Sequence, residues 1–217
     1  MSRIPVATLI SGRGSNMAAL VEASRASDYP AEIRLVLSDN PDASGLDLAA
    51  KMGITTAVVD AQGIARAAFE NAVLGQLEAA GIELVCLAGF MRLLSADFVA
   101  HWHDRLINIH PSLLPAFKGL DTHARALAAG VRISGCTVHF VRPAMDEGPI
   151  IAQAAVPVAG DDTPDTLAMR VREAEHRIYP LALRLVASGR ARVKDERVVI
   201  DEAPEHGPAL IVPSDLG

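Results

Sequence analysis

Two polar residues, Asn108 and His110, end an apolar run in the stretch INIHPSLLP, and together they could donate a hydrogen bond and carry a proton to a substrate. Residues two positions apart on a strand share a face, so an amide donor and an imidazole proton carrier can address one substrate atom. Pro111 ends the strand directly behind them, because proline has no backbone N–H for a sheet. Taken alone, His110 would more simply be a semi-buried structural histidine.

A third polar residue, Asp146, stands in the stretch RPAMDEGP between two later strand-like runs. A carboxylate packed against an imidazole stabilises the protonated ring, although loop carboxylates are also common as solvated turn formers. His139 on the preceding run could orient such a pair or simply pack within a strand. With His123 these residues could also bind a metal, but they lack the HxxxH or cysteine-rich spacing of zinc sites, so we expect no metal.

The stretch SGRGSN after the first apolar run places Gly12, Gly14, Ser15 and Asn16 at a predicted strand-to-helix turn. Glycines there let the backbone approach a ligand, and the free N–H groups of a helix N-terminus favour an anion such as phosphate. The stretch lacks both the third glycine of the dinucleotide fingerprint and the Gly-Lys-Ser/Thr ending of a P-loop. A helix cap with a tight turn is the alternative interpretation.

The elements that must position these groups follow from hydrophobic periodicity. Strand-like runs alternate with helical patterns in the first half, which predicts an α/β fold with a parallel sheet. The predicted strands span 6–10, 32–38, 56–60 and 83–90, and the clearest helices span 15–26, 44–52, 62–80 and 163–187. Two late runs, 133–141 and 149–158, predict paired strands in the same sheet, and a small hairpin is predicted near the end. Ligands of open α/β sheets bind at the carboxyl edge, where Asn108 and His110 would lie.

Composition restricts the function classes. The 217 residues carry a formal net charge of -6, which argues against an electrostatic grip on nucleic acid. The first apolar run is too short for a secretion signal or a membrane span, so a cytoplasmic protein is expected. Cys86 and Cys136 are predicted to be buried, reduced thiols. We expect one domain over residues 1–201, with an unassigned Pro-rich tail over 202–217, and either a monomer or a homodimer.

Seven stretches in the same order resemble the phosphoribosylglycinamide formyltransferases, the folate-dependent enzymes of purine synthesis. They are SGRGSN, LAGFMRLL, INIHPSLLPAFKG, THARAL, GCTVHFV, DEGPIIAQ and EAEHRIYP, and they run from about residue 4 to about residue 190. HPSLLP with a later DxGP is shared by the enzymes that handle folate formyl groups. SGxGSN in the first loop distinguishes the purine enzymes among them.

The resemblance implies the formyltransferase fold, a Rossmann-like, open and mostly parallel sheet flanked by helices, with a late antiparallel strand pair. It implies that glycinamide ribonucleotide binds to Gly14, Ser15 and Asn16 through its phosphate and to Glu175 through its ribose, with Arg172, Glu173 and Ala174 beside it. It implies that 10-formyltetrahydrofolate binds along Met91, Arg92, Leu93 and Leu94, along the backbone of Arg142, Pro143, Ala144, Met145 and Asp146, and near Asn108, with Arg66 at its glutamate tail. Asn108, His110 and Asp146 match the catalytic trio.

Three other functions are weighed against this one. A formyltetrahydrofolate deformylase would use the same trio with water as acceptor, but normally carries an extra N-terminal regulatory domain. A transfer RNA formyltransferase adds a basic C-terminal domain, which an acidic chain of this length does not predict. In a non-catalytic nucleotide-binding module, His110 and Asp146 would be structural.

Overall fold

The computed structural model describes residues 3–201 and residue 212. Its main sheet has seven strands, and the apolar strands of the N-terminal half form the parallel part of that sheet. The strands are β1 (Ile4–Ile10), β2 (Ala31–Ser38), β3 (Thr55–Val58), β4 (Leu84–Leu87), β5 (Leu106–His110), β6 (Ile133–Phe140) and β7 (Ile150–Pro157). Their spatial order is β3-β2-β1-β4-β5-β6-β7. The pairs β5–β6 and β6–β7 are antiparallel, whereas the others are parallel. The prediction of one continuous sheet with a late antiparallel pair is confirmed.

Six helices flank the described part of the sheet. They are α1 (Ser15–Ser24), α2 (Ser44–Lys51), α3 (Arg66–Ala79), α4 (Ala96–His101), α5 (Thr122–Ala128) and α6 (Pro164–Ala187). The four predicted helices are present, but α3 begins four residues later than predicted, because Gly63 has a φ of +70° that a right-handed helix does not contain. The long helix α6 starts where Thr163 caps it, its hydroxyl accepting from Thr166 N, with Pro164 in the first turn.

Burial on both faces explains why the central strands read as continuous apolar runs. Along β1, Val6 and Ile10 belong to the cluster under α1 and α6, whereas Ala7 and Leu9 belong to the cluster under α3 and α4. Alternation along a strand sends neighbours to opposite faces, so both faces of this sheet are covered. The hydroxyl of Tyr179 on α6 donates towards the carbonyls of Leu87 and Ile107, which ties that helix to β4 and β5.

The chain continues past α6 into a hairpin of β8 (Ala191–Lys194) and β9 (Arg197–Ile200), as predicted. Both cysteines are buried and free, and burial raises the pKa of the Cys136 thiol to about 12. Neither thiol is therefore a ready nucleophile. Among the described residues no helix is both long and apolar enough to cross a membrane. The Pro-rich tail lies outside the described residues, except for residue 212.

Candidate active site

The catalytic candidates meet at the carboxyl end of β5. His110 ends that strand with 6% of its surface exposed, and Asn108 lies two residues earlier on the same face. Asp146 reaches them from the loop of residues 142–148, here called the Asp146 loop, which joins β6 to β7. Its Oδ2 lies 3.4 Å from His110 Nδ1, and its side chain is 11% exposed. Residues 36 positions apart in the sequence therefore form one buried pair.

Both ring nitrogens of His110 face acceptors. Nδ1 faces the Asp146 carboxylate, and Nε2 lies 3.0 Å from the carbonyl oxygen of Phe117. A neutral imidazole has one N–H and can direct it at only one of these oxygens, whereas the imidazolium presents an N–H to each. The surroundings of the ring thus suit its doubly protonated form, a proton donor beside a carboxylate.

His139 holds the Asn108 amide in a defined orientation. Nδ1 of His139 lies 2.9 Å from the Phe140 carbonyl, so this nitrogen carries the proton and donates to that oxygen. Burial lowers the pKa of His139, which keeps the ring neutral and leaves Nε2 as an acceptor. Nε2 lies 3.3 Å from Asn108 Nδ2 and accepts one of its two N–H bonds. The amide nitrogen, rather than the oxygen, therefore faces His139, and a second N–H remains for a substrate.

Close backbone packing holds the Asp146 loop against the sheet. Asp146 has a φ of +56°, and its Oδ2 accepts from Gly119 N at 2.8 Å. At Gly148 a Cβ atom would lie 1.5 Å from the Phe140 carbonyl oxygen, so only glycine allows the loop to return this closely to β6. The glycine of the DEGP stretch thus determines where Asp146 lies.

The first loop and α6 form a second group of polar residues. Gly14 caps α1 with a φ of +73°, and a Cβ there would lie 3.0 Å from Gly45 Cα. Asn16 Nδ2 donates to Glu175 Oε2 at 2.8 Å, across 159 positions of sequence. Burial raises the pKa of the Glu175 carboxyl, and the Asn16 hydrogen bond and Arg172 partly offset that rise. The predicted phosphate and ribose residues are therefore adjacent.

Two residues predicted for the same region lie on a different face of α6. Glu173 and Ala174 line the groove between α6 and β7 together with Arg177, whereas Glu175 points to Asn16. Neighbouring helix positions are about 100° apart, so a run of four residues cannot present every side chain to one ligand. The structure does not bring the Glu173 and Ala174 side chains to the Asn16–Glu175 pair.

The residues predicted for the formyl donor lie around the same edge of the sheet. Met91, Leu93 and Met145 are large apolar side chains that are 69%, 68% and 53% exposed. Met91 N donates to Ser11 Oγ at 2.9 Å, which ties this segment to the first loop. The Arg92 guanidinium lies over the ring of Phe69 on α3. The exposed Arg66 lies one turn before Phe69 on the same helix. Exposed apolar side chains beside a polar cleft are typical of a binding site for a flat, partly apolar molecule.

Two polar residues outside the predicted catalytic and binding residues hold the HPSLLP segment. The hydroxyl of Thr137, which is fully buried, donates to the Ser112 carbonyl at 2.7 Å and accepts from Leu114 N at 3.0 Å. Gln153 Nε2 donates to the Leu114 carbonyl and to the Thr137 hydroxyl, both at 3.0 Å. Their signal in the sequence is that each is a polar residue among strand-forming residues, in the stretches GCTVHFV and DEGPIIAQ.

The histidines of this region predict a pH-dependent stability. Burial lowers the pKa of His123, His139 and His176. The unfolded chain, with ordinary histidines of pKa about 6.5, then binds more protons than the native state, so the free energy of unfolding should fall as pH drops through about 6.5. The raised pKa of the Glu175 carboxyl has the opposite effect, because it increases the free energy of unfolding as pH drops, over a range at lower pH.

Urea unfolding between about pH 7.5 and pH 6 measures this effect. His139→Gln should reduce the slope, whereas His101→Gln at an exposed helix end serves as the matched control. A free energy of unfolding that stays constant over this range would contradict the prediction.

Among residues 3–201 no cluster of three or more His, Cys, Asp or Glu side chains is arranged to hold a metal ion. The arrangement of His110, Asp146 and Asn108 can donate a proton and stabilise a developing negative charge.

Comparisons with known proteins agree with this geometry. The family model described as Formyl transferase matches residues 4–183. A phosphoribosylglycinamide formyltransferase of Escherichia coli is 41% identical over 197 residues, 90% of this chain and 93% of that protein. The solved glycinamide ribonucleotide transformylase 1 of Symbiobacterium toebii superposes with a TM-score of 0.88 at 46% identity, covering 91% of this chain and 94% of that one.

A longer relative shares the same region. The trifunctional purine biosynthetic protein adenosine-3 of Gallus gallus is 51% identical over 193 residues, which are 88% of this chain. The matched region covers 19% of that protein, so the similarity concerns one part of a much longer chain.

Proposed function

The chain belongs to the formyl transferase family, and from that premise we propose that it transfers the formyl group of 10-formyltetrahydrofolate to the amine of glycinamide ribonucleotide. The products are formylglycinamide ribonucleotide and tetrahydrofolate, in purine synthesis. The observation that carries the proposal is the trio around buried His110, in which Asp146 Oδ2 lies 3.4 Å from His110 Nδ1 and Asn108 is oriented beside them.

The reaction requires stabilisation of an oxyanion. When the amine adds to the formyl carbon, the formyl oxygen becomes negative, and donors that are already in place lower the barrier. The free N–H of Asn108 and the Nε2–H of His110 are the two donors, and the substrate oxygen would replace the Phe117 carbonyl as the partner of Nε2. Each donor is worth about 3–4 kcal/mol, the usual cost of losing one oxyanion donor.

The two carboxylate oxygens of Asp146 have different roles. Oδ2 accepts from Gly119 N and faces His110, so it holds the imidazolium in place. Oδ1 lies 4.0 Å from Nε2 of His139, which is an acceptor and gives no proton. Oδ1 is therefore the oxygen that can receive, through a water, the proton lost by the attacking amine. When the bond between the formyl carbon and the folate nitrogen then breaks, a proton passes to that nitrogen, so that tetrahydrofolate leaves as the neutral amine.

The two substrates would approach from opposite sides of the trio. We assign the phosphate to the N-terminus of α1, at Gly14, Ser15 and Asn16, and the ribose hydroxyls to Glu175, with Arg172 nearby. The formyl donor would lie over the segment from Met91 to Leu94 and along the Asp146 loop, with Arg66 near its glutamate tail. The exposed apolar side chains and the burial of the Asn16–Glu175 pair support this division.

We further propose that residues 1–201 form the catalytic domain and that the reaction takes place in the cytoplasm. The matched region, residues 4–183, and the hairpin packed after it support this boundary. Two buried reduced thiols fit such a compartment.

The test of this function is the absorbance change on mixing the protein with 10-formyl-5,8-dideazafolate, with and without glycinamide ribonucleotide and with no metal added. Release of the formyl group that requires the ribonucleotide supports the transferase. Release without it makes water the acceptor and favours the deformylase. Absence of release under both conditions would contradict both activities.

A charge placed in the first loop should weaken binding of the phosphorylated substrate. Ser15→Asp adds a carboxylate to the first turn of α1, where it repels a phosphate, and should raise the KM for glycinamide ribonucleotide about tenfold or more while the KM for the formyl donor changes little. Ser27→Asp adds the same charge at an exposed position and is the matched control. Equal KM values for the two variants would contradict the assignment of the phosphate to this loop.

A further inference from the structure

The turn of the β8–β9 hairpin has an unfavourable backbone conformation. Lys194 pairs with Arg197, so only Asp195 and Glu196 form the turn, with φ values of +50° and +55°. A two-residue turn with both φ values positive is normally Asn-Gly or Asp-Gly, so Asp195 suits the first position, whereas Glu196 stands where glycine is preferred. A hairpin that served only to end the domain would be more stable with glycine at the second turn position.

The side chain of Glu196 reaches a residue of the Asp146 loop. Its carboxylate binds the Arg142 guanidinium at two points, Nε to Oε2 at 2.8 Å and Nη2 to Oε1 at 3.3 Å. The Arg142 side chain is 11% exposed, although Glu196 itself is 65% exposed. The tip of the hairpin thus holds the first residue of the loop that carries Asp146.

A second carboxylate on unfavourable backbone binds the same guanidinium. Asp104, just before β5, has a φ of +55°, and its Oδ1 accepts from Arg142 Nη2 at 2.7 Å. Arg142 Nη1 also donates to the Val141 carbonyl at 3.1 Å. Two residues that adopt left-handed backbone, from separate parts of the chain, therefore converge on one arginine.

Stability alone does not account for this arrangement. Ion pairs with an exposed partner contribute little to the free energy of unfolding, whereas positive φ values at residues other than glycine reduce it. Unfavourable backbone that is retained at such a point indicates a functional constraint. The part of the chain that benefits is the loop, because a bidentate guanidinium contact restricts both its position and its direction.

We propose that Glu196 and Asp104 are positioning residues that act through Arg142 to hold the Asp146 loop in the conformation that binds the formyl donor. The Arg142 side chain is occupied by these carboxylates, so only its backbone is left for a ligand. The loop supplies the backbone assigned above to the formyl donor, and the proposal rests on that assignment. It predicts that the hairpin controls affinity for the folate and not for the ribonucleotide.

The principal test uses the full chain with Glu196→Gln, which keeps the size of the side chain and removes its charge. Hydrogen exchange of residues 141–148 should become faster. The Kd for 10-formyl-5,8-dideazafolate, measured by calorimetry, should rise about three- to tenfold, which corresponds to the loss of a single well-formed contact. The Kd for glycinamide ribonucleotide should stay within about twofold of the wild-type value.

Two turn variants separate positioning from stability. Asp195→Gly changes the first turn position and keeps Glu196, so the exchange rate and both Kd values should stay unchanged. The double variant Asp195→Asn with Glu196→Gly provides the preferred turn and removes the carboxylate. It should match or exceed the wild-type Tm and still bind the folate analogue more weakly.

The proposal is overturned if exchange in the loop is unchanged in Glu196→Gln, or if the loop exchanges faster without any change in the folate Kd. A wild-type protein that binds the analogue but fails to transfer its formyl group would disprove the proposed function and leave this inference standing. A wild-type protein that does not bind the analogue would overturn both.

Discussion

His110→Ala and Asp146→Asn are expected to lower kcat by about two to three orders of magnitude, with much smaller changes in the KM of either substrate. The first substitution removes one of the two oxyanion donors and the proton that it carries. The second keeps the shape of the side chain but removes the charge that faces His110 Nδ1 at 3.4 Å. Both groups stabilise charge that develops only in the transition state, so their removal lowers kcat rather than the binding of either substrate.

Rates measured with both substrates at saturation check this prediction. Glu147→Gln is the matched control, because Glu147 is a carboxylate one position from Asp146 whose partner is the surface residue Lys118, at 2.6 Å. Its kcat should remain within about twofold of the wild-type value. Near wild-type turnover in His110→Ala and in Asp146→Asn would make both residues structural and favour a non-catalytic binding module.

Gly148→Ala is expected to lower kcat by about two orders of magnitude, although it removes no catalytic group. The new Cβ would lie 1.5 Å from the Phe140 carbonyl oxygen and 2.7 Å from the carbonyl carbon, both of which belong to the backbone of β6. The sheet cannot move that far, so the loop must, and Asp146 moves with it. The same overpacking should reduce the free energy of unfolding by about 1–3 kcal/mol.

Steady-state kinetics and urea unfolding of Gly148→Ala are compared with those of Gly160→Ala. At Gly160 an added Cβ meets nothing within 4 Å, so both properties should be unchanged. If Gly148→Ala retains wild-type kcat, the position of Asp146 is not set by the close packing of its loop on β6.

The extent to which sequence reasoning succeeded depends on the range of the interaction. Strands and long helices follow from local periodicity, and the predicted ranges lie within a few residues of β1, β2, α1, α2 and α6. The short helices α4 and α5 are not among the clearest predicted helices, since six or seven residues give little periodicity, although the end of α4 was predicted at His101. The predicted start of α3 was four residues too early, because Gly63 has a positive φ that a right-handed helix does not contain.

The residue types of the candidate site could be predicted for the same reason. Asn108 and His110 are two positions apart on one strand, so alternation alone puts them on one face. Asp146 was selected by its loop and by a family resemblance, but nothing local in the sequence says that it reaches His110. The structure brings them together because β6 pairs with β5 and Gly148 returns the loop to β6.

The amino-acid sequence by itself determined the fold class, the strand-end pair of Asn108 and His110, and the family, because each depends on residues close together in the chain. Only the tertiary structure decided the partners of those residues. It fixed the tautomer of His139 that orients Asn108 and the pairing of Asn16 with Glu175. It also brought Asp104 and Glu196 to one guanidinium on Arg142. Apart from the contact of His139 with its neighbour Phe140, these contacts join residues from 31 to 159 positions apart, and their geometry depends on how the sheet and helices pack, which no local pattern encodes.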